Sequence, residues 1–328
     1  MLGRVKKFIR KSLDNDRHPA IHSWFRARDE RRTRESYERH QRMTYAEIEA
    51  EIARGYEASF KRKLDWDNPQ TFNEKIKVAM LYMPTPLKTR LADKYLVCEW
   101  VKEKIGSKYL IPLLGVYDSF DEIDFDKLPS RFVIKCNHDS GSTTIVTDKS
   151  KINYEALKSK YDKTLNTNYA WFACEMHYLN IKPKIIIEDF IENADVNDYR
   201  FFCFAGKPYY CAVDFHDDKH KICARNFYSL TWERMPFALN YPNYPEDAPC
   251  PENLDTMIKI ATTLSEGIDQ VRVDLYSSRG EIFFGEMTFT HAGGTQKFMP
   301  DEWDYKLGAL WPFDNSIRRK VLAKHSRP

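Results

Sequence analysis

The residues best placed to do chemistry lie in Gln270-Val-Arg-Val-Asp-Leu-Tyr276, Ser277-Ser-Arg-Gly-Glu281 and Ile282-Phe-Phe-Gly-Glu-Met-Thr288. This pattern predicts a hairpin with charges inside both strands. Period-2 geometry puts Arg272 and Asp274 on one face and Val271, Val273 and Leu275 on the other. With the turn at 277–281, Tyr276 pairs with Ile282, Arg272 lies opposite Glu286, and Asp274 is diagonal to it. A slip of one residue would throw Glu286 to the other face. Two such carboxylates repel unless a cation sits between them. Magnesium, which takes one or two carboxylates plus substrate phosphates, suits that role. The plain alternative is a cross-strand Arg–Glu ion pair with Asp274 solvated. His291, in the Thr-Phe-Thr-His-Ala-Gly-Gly-Thr-Gln run that follows, could be a base, a substrate contact or a structural residue.

Three further stretches carry candidates. In Phe132-Val-Ile-Lys-Cys-Asn-His-Asp-Ser-Gly-Ser142 an apolar strand contains Lys135 and empties into a small polar turn. Such turns offer backbone N–H groups to phosphate oxygens, but the spacing is neither a Walker loop nor G-x-G-x-x-G. Taken alone, a surface lysine on an edge strand explains it more simply. Pro183-Lys-Ile-Ile-Ile-Glu-Asp-Phe-Ile191 reads as a central strand. Glu188 at its end, with Phe190 and Ile191, could meet an adenine, or could be only a solvated acidic end. Asp198-Tyr-Arg-Phe-Phe-Cys-Phe-Ala-Gly-Lys-Pro208 reads as two strands folded at Ala205-Gly206-Lys207. Arg200 could face a phosphate there or pair with a carboxylate.

These residues need a frame. The chain has 328 residues, 42% of them hydrophobic, enough for a substantial core and about two domains. The longest uncharged runs, Thr164–Cys174 and Met235–Pro245, fall well short of the roughly 18 apolar residues a membrane span needs. Seven scattered cysteines without a CxxC pair predict neither a disulfide framework nor a zinc site, and fit a reducing cytoplasm. The net charge of +3 is unevenly spread, with 17 Lys/Arg against 10 Asp/Glu in residues 1–63. Basic and aromatic residues are not interleaved as on a base-stacking surface, so no nucleic-acid partner is expected. Leu2, Val5, Ile9 and Leu13 share one face of a basic helix, which could touch an anionic membrane or simply be solvated.

A polar stretch, 26–63, predicts two helices broken near Gly55. Thr71 with Glu74 forms a capping box opening a helix to Met83, and a second helix is expected over Leu87–Ile105. Strands are expected at 109–117, 131–136, 144–147, 184–188, 199–204, 208–215, 270–276 and 281–287, with helices at 153–166, 169–179 and 252–267. This mixture, without regular βαβ alternation, predicts an α+β fold with antiparallel sheets. The expected divisions are a basic helical region (1–70), a helical lead-in (71–110), and two α+β bodies (111–190 and 191–328).

The order of these pieces resembles the ATP-grasp superfamily, and most closely its teichuronopeptide-biosynthesis (TupA-like) branch. The stretches that carry the resemblance are Thr71-Phe-Asn-Glu-Lys75, Leu91-Ala-Asp-Lys-Tyr95, Tyr109-Leu-Ile-Pro-Leu-Leu-Gly-Val-Tyr117, Lys135-Cys-Asn-His138, Asp198-Tyr-Arg200, Arg225-Asn-Phe-Tyr228 and the final hairpin, over roughly residues 70–300. The resemblance implies two α+β subdomains gripping ATP. It implies that Lys135 binds phosphates, that His138, Asp139, Ser140, Gly141 and Ser142 cover them, and that Glu188, Asp189, Phe190 and Ile191 form the adenine hinge. Asp274, Glu286 and Thr288 would hold magnesium, with Arg272 and Arg200 as catalytic cations. Thr288 stands where an asparagine often completes the metal site, and Asp139 where a glycine would ease approach to phosphate.

The activity so implied is ATP-dependent ligation of a carboxylate to an amine through an acyl phosphate. The acceptor would be a uronic-acid-containing cell-surface glycan or its lipid-linked precursor, and the donor an amino acid or other amine. Such an enzyme would work in the cytoplasm, and contact through residues 1–13 would hold it peripherally at the inner membrane face. The alternatives are a sugar transferase of the same pathway and a non-catalytic nucleotide-binding module. A transferase would want a D-x-D at a strand end. The matching triplets, Asp14-Asn-Asp16, Asp65-Trp-Asp67 and Asp124-Phe-Asp126, lack that context.

Overall fold

A computed structural model describes residues 31–191, 197–216 and 222–325. The expected basic helix at residues 1–13 and the triplet Asp14–Asp16 lie outside these. Two compact units are present, Met1–Glu49 and Ala50–Pro328. The first contains helix α1 (31–40) and the start of α2 (Tyr45–Phe60). The helical break falls at 41–44 rather than at Gly55. Thr44 and Glu47 cap one another there, the Glu47 carboxylate accepting the Thr44 N–H at 2.8 Å. That reciprocal cap outweighs one mid-helix glycine, which costs only about 1 kcal/mol.

The second unit holds both sheets. Helix α3 (Phe72–Tyr82) opens on the expected capping box of Thr71 and Glu74. The single helix expected over 87–105 is two, α4 (Pro86–Ala92) and α5 (Val97–Ile105). Asp93 causes the break. Its carboxylate captures the N–H groups of Tyr95 (2.8 Å) and Leu96 (3.2 Å), which a continuous helix would have used.

The first sheet has the order β1-β4-β2-β3, all antiparallel, from β1 (Leu113–Tyr117), β2 (Phe132–Cys136), β3 (Thr144–Val146) and β4 (Ile185–Asp189). Lys135 is therefore on an inner strand, not an edge. Phe132, Ile134, Cys136, Ile185 and Ile187 face helix α6 (Tyr154–Leu165) in one core. The alternate residues, including Lys135 and Glu188, face the other way. The expected helix at 169–179 is instead a short turn, α7 (Ala170–Ala173), and a 3-10 turn at Met176–Tyr178. Cys174 breaks the run with φ of 60°.

The second sheet has the order β10-β9-β5-β6-β7, from β5 (Asn197–Phe204), β6 (Lys207–His216), β7 (Ile222–Tyr228), β9 (Gln270–Ser278) and β10 (Glu281–Thr288). One face packs Phe201, Val271, Val273 and Leu275 onto helix α8 (Leu254–Ser265). The other face is half apolar, where Phe202, Phe204, Ala212 and Phe227 meet α3 and α9 (Glu302–Leu310). The rest of that face is charged. A small two-stranded pair, β8 (Ala238–Leu239) with β11 (Phe298–Met299), and α10 (Ile317–His325) complete the described elements. Strand β7 was not among the expected strands. Its Cys223 and Arg225 interrupt the apolar signal.

The final hairpin differs from expectation in a way that matters. Ser278 pairs with Glu281 and Tyr276 with Phe283, so the turn is only Arg279-Gly280. That register alone would put Glu286 on the apolar face. The register then shifts between Phe284 and Glu286, which bulges Gly285 out and restores the face. Glu286 ends opposite Asp274, and Thr288 opposite Arg272. A Cβ on Gly285 would sit 3.1 Å from the Asp274 carbonyl and 3.0 Å from the Tyr276 ring. Gly285→Ala should therefore destabilise the fold by about 1–3 kcal/mol, read from urea unfolding. An unchanged midpoint would remove the bulge's requirement for glycine.

Candidate active site

The charged half of the second sheet carries one side chain per strand position. Strand β9 brings Arg272 and Asp274, β10 brings Glu286 and Thr288, and β5 brings Asp198 and Arg200. Asp214 comes from β6 and Arg225 from β7. Arg200 is the direct cross-strand neighbour of Asp274, and Asp214 of Arg225. The strand pairings thus put signs side by side, and the contacts follow. Arg272 makes a bidentate pair with Asp274, Nε to Oδ1 and Nη2 to Oδ2, both 2.6 Å. Its Nη2 also reaches Glu286 at 2.9 Å. Arg200 contacts Asp198 at 2.5 Å and Asp214 at 2.6 Å, with Asp274 at 3.7 Å. Arg225 pairs with Asp214, and its Nη1 is a buried donor without a partner.

Burial pushes the Asp274 carboxyl up to about 6, against the pull of Arg272, and the Glu286 charge adds to that push. Glu286 is held below its ordinary value, because Arg272 and Lys94 outweigh its burial. Thr288, expected as a metal ligand, has its hydroxyl committed. It donates to Glu286 Oε1 at 2.8 Å and accepts from Arg272 Nη2 at 3.1 Å. In this arrangement it aims Glu286.

His291 has a definite place. Its Nδ1 accepts from Arg272 Nη1 at 2.6 Å, and Nε2 meets Gln296 Oε1 at 3.0 Å. Burial, then the charges of Arg272, Arg225 and Arg200, hold its pKa well below the ordinary value. It is a neutral imidazole that fixes the guanidinium.

On the first sheet Lys135 Nζ pairs with Glu188 at 2.6 Å, across the β2–β4 register. The turn beyond it is braced internally. Asp139 turns its carboxylate back to accept from Ser142 Oγ at 2.6 Å, and Ser142 Oγ accepts the Cys136 N–H at 2.8 Å. His138 faces away from Lys135's side of the turn, with Nε2 on the carbonyls of Thr164 (3.2 Å) and Thr167 (3.1 Å). Gly141, at φ of 112°, takes a conformation that suits glycine alone. Ser140 sits at the turn's tip. At the end of β4 the Asp189 N–H donates to Pro112 O at 2.9 Å and the Phe190 N–H to Asp189 Oδ1 at 2.8 Å. Arg131 lies over the Phe190 ring at 5.3 Å, and Ile191 is half-buried beside it.

Lys94 is the residue the sequence reading missed. The helix break at Asp93 frees it, and its Nζ donates to the Asp139 carbonyl. Burial lowers its pKa, opposed by the charges of Glu286 and Asp139. It therefore stands between the phosphate-type turn and the carboxylate pair. Asn137 holds it there, its side chain donating to Asp93 Oδ1 at 2.9 Å and its carbonyl accepting the Lys94 N–H at 2.9 Å. The signal was present, since Lys94 lies in one of the stretches that carried the resemblance.

Among the described residues no group of three or more His, Cys, Asp or Glu converges as a metal site. Asp274 and Glu286 fit an ion that takes its remaining ligands from phosphate oxygens and water. Glu286 keeps its side chain 39% exposed, leaving room at its second oxygen. Neither remaining described D-x-D triplet ends a strand; Asp65 and Asp124 each cap a turn.

Two antiparallel sheets, one with a lysine and a small-residue turn and the other with an Arg/Asp/Glu cluster, define an ATP-grasp fold. The TupA-like ATP-grasp family model matches residues 74–311. The chain belongs to that family. Among solved structures it is similar to a D-alanine–D-alanine ligase from Bacillus anthracis complexed with ATP, at 16% identity and a TM-score of 0.36, over 61% of this chain and 54% of that one. An L-amino acid ligase from Bacillus licheniformis matches at 13% identity and a TM-score of 0.42, over 74% and 55%. Biotin carboxylase from Campylobacter jejuni matches at 12% and 0.40, over 68% and 47%. The chain thus spans about half the length of these structures. No curated protein matches it. Among the described residues no helix is long and apolar enough to cross a membrane.

Because the His291 pKa is depressed in the fold, the unfolded chain binds one proton more below about pH 6.5. Its contribution to stability is intact above that pH and is lost on acidification, at about 1.4 kcal/mol per pH unit. His291→Gln should flatten the acid limb of stability by one proton and lower turnover roughly 10–100-fold. An imidazole signal titrating near 6.5 would contradict a neutral, positioning His291.

Proposed function

We propose that the protein is an ATP-dependent carboxylate–amine ligase that forms an amide on a uronic acid of a cell-surface glycan. What carries the reading is the Arg272–Asp274–Glu286 cluster with Lys94 standing between it and the Asp139 turn. Lys135 and Lys94 would hold the nucleotide phosphates, Ser140, Gly141 and Ser142 would cover them, and Glu188 to Ile191 would line the adenine. Asp274 and Glu286 would hold a magnesium ion, which when bound neutralises charge on the transferring phosphoryl group. Arg272, fixed by His291 and Asp274, would supply positive charge beside the same group, with Arg200 behind it.

The chemistry balances simply. The acceptor carboxylate takes the γ-phosphoryl group, giving an acyl phosphate and ADP. The amine attacks the acyl carbon, the C–N bond forms, the C–O bond to phosphate breaks, and phosphate leaves as the amine loses a proton. The TupA-like membership supports a glycan acid as acceptor and an amino acid or other amine as donor. A cytoplasmic enzyme, held peripherally to the membrane by residues 1–13, fits a lipid-linked precursor.

The test is release of ADP and phosphate from ATP and magnesium with a uronic-acid acceptor and mixed amino acids. Release should require both carboxylate and amine. Lys135→Ala, Lys94→Ala, Asp274→Asn and Glu286→Gln should each lower it at least 100-fold, about 2.7 kcal/mol of barrier. Consumption of a nucleotide sugar, or release untouched by all four substitutions, would defeat the reading.

A further inference from the structure

Outside the Asp139 turn lies a groove of about 520 Å³, walled by the turn on one side and by α6 and the start of α7 on the other. It shares the turn residues Asp139 to Ser142 with the phosphate side, and its outer lining is cationic and hydroxylic. Lys160 and Lys163 from α6 bring two positive charges, and Ser159, Thr164 and Thr167 bring hydroxyls. Lys163 is exposed and forms no ion pair among the described residues. Lys160 Nζ donates to Thr144 Oγ1 at 2.8 Å, which holds it at the rim. Phe172 stands edge-on to Tyr169, centroids 5.7 Å apart, and leaves 39% of itself in solvent. At the inner wall His138, only 2% exposed, gives Nε2 to the carbonyls of Thr164 in α6 and Thr167 just beyond it, and leaves Nδ1 without a partner.

The groove also leads somewhere. Tyr169 forms its inner end, hydrogen-bonded to Ser140 at the tip of the turn. After burial, the charges of Glu175, Asp139 and Glu286 raise its phenol pKa, to about 12.

The geometry points to this groove as the subsite of the acceptor, a carboxylate-bearing oligosaccharide. Lysines answer the carboxylates, hydroxyls answer the sugar hydroxyls, and an exposed ring offers an apolar platform. A simple amine without a carboxylate, bound as ammonium, would be repelled by the same lysines. The inference rests on the ligase reading for the reaction, but the groove's chemistry is argued from its own residues.

The test is calorimetric titration of the full chain with trigalacturonate and with maltotriose, in magnesium and a non-hydrolysable ATP analogue. Trigalacturonate should bind and neutral maltotriose should not. Lys163→Glu should weaken trigalacturonate about tenfold and Phe172→Ala severalfold, with affinity for the ATP analogue unchanged. Equal binding of maltotriose, no binding of trigalacturonate, or an indifferent Lys163→Glu would overturn the groove assignment. Turnover separates this from the ligase reading. If ADP release needs a uronate and Lys163→Glu leaves the acceptor KM unchanged, the groove fails and the ligase stands. If Lys163 governs trigalacturonate binding but no amine elicits ADP release, the groove stands and the ligase fails.

Discussion

The structure depends on holding two carboxylates side by side on one sheet face, Asp274 buried and Glu286 half-exposed. Asp274 and Glu286 are cross-strand neighbours, and each raises the cost of charging the other. Arg272 makes the arrangement tolerable by contacting both. Such a pair is worth little when compared with apolar residues of the same shape, yet removing one partner costs about 3–5 kcal/mol. The charge must therefore come as a set. The set extends across all five strands of the sheet, through Arg200 and Asp214 to Arg225, each cation lying beside a carboxylate. His291 belongs to it as the neutral acceptor that occupies the Arg272 nitrogen not used by Asp274 or Glu286.

The second constraint is how the first sheet is brought to this set. Asn137 is fully buried and bonds Asp93, Lys182 and the Lys184 N–H together. It joins the end of β2, the approach to β4 and the break between α4 and α5. That break carries Lys94 to the carboxylate cluster. A substitution at Asn137 would touch no ligand, yet it would leave three buried polar partners unsatisfied.

Much of this was legible in the sequence. The capping box at Thr71, the antiparallel strands and the shared face of Arg272, Asp274 and Glu286 all follow from local pattern. The hairpin register does not. Arg279-Gly280 makes a tighter turn than expected, and the error cancelled because Gly285 bulges. Face is set by parity, so two one-residue slips in the same direction leave it correct while moving Glu286 from opposite Arg272 to opposite Asp274. The α4–α5 break was hidden because Asp93 competes for backbone N–H groups only once Asn137 fixes its position. The stretch holding Lys94 was visible, but its role, like that of His291, was not: each is defined by partners distant in sequence. The direction of Asp139 depended on Ser142, three residues away, and no periodicity reports a side chain that turns back into its own loop.

The balance of charge bears on how a nucleotide could bind here. Lys94, Lys135, Arg200, Arg225 and Arg272 face Glu188, Asp139, Asp198, Asp214, Asp274 and Glu286. Five cations against six carboxylates is no electropositive funnel. A polyphosphate entering it would gain little from net field and would depend on specific contacts and on a cation brought with it. Asp274, pushed up to about 6 by burial and by Glu286, is the group whose ionisation such a cation would most favour. The acidic excess that looks unsuited to ATP is thus the feature that would tie phosphate binding to a divalent ion. The lysines of the outer groove meet this cluster only at Asp139, which lines the groove beside Lys160 and Lys163.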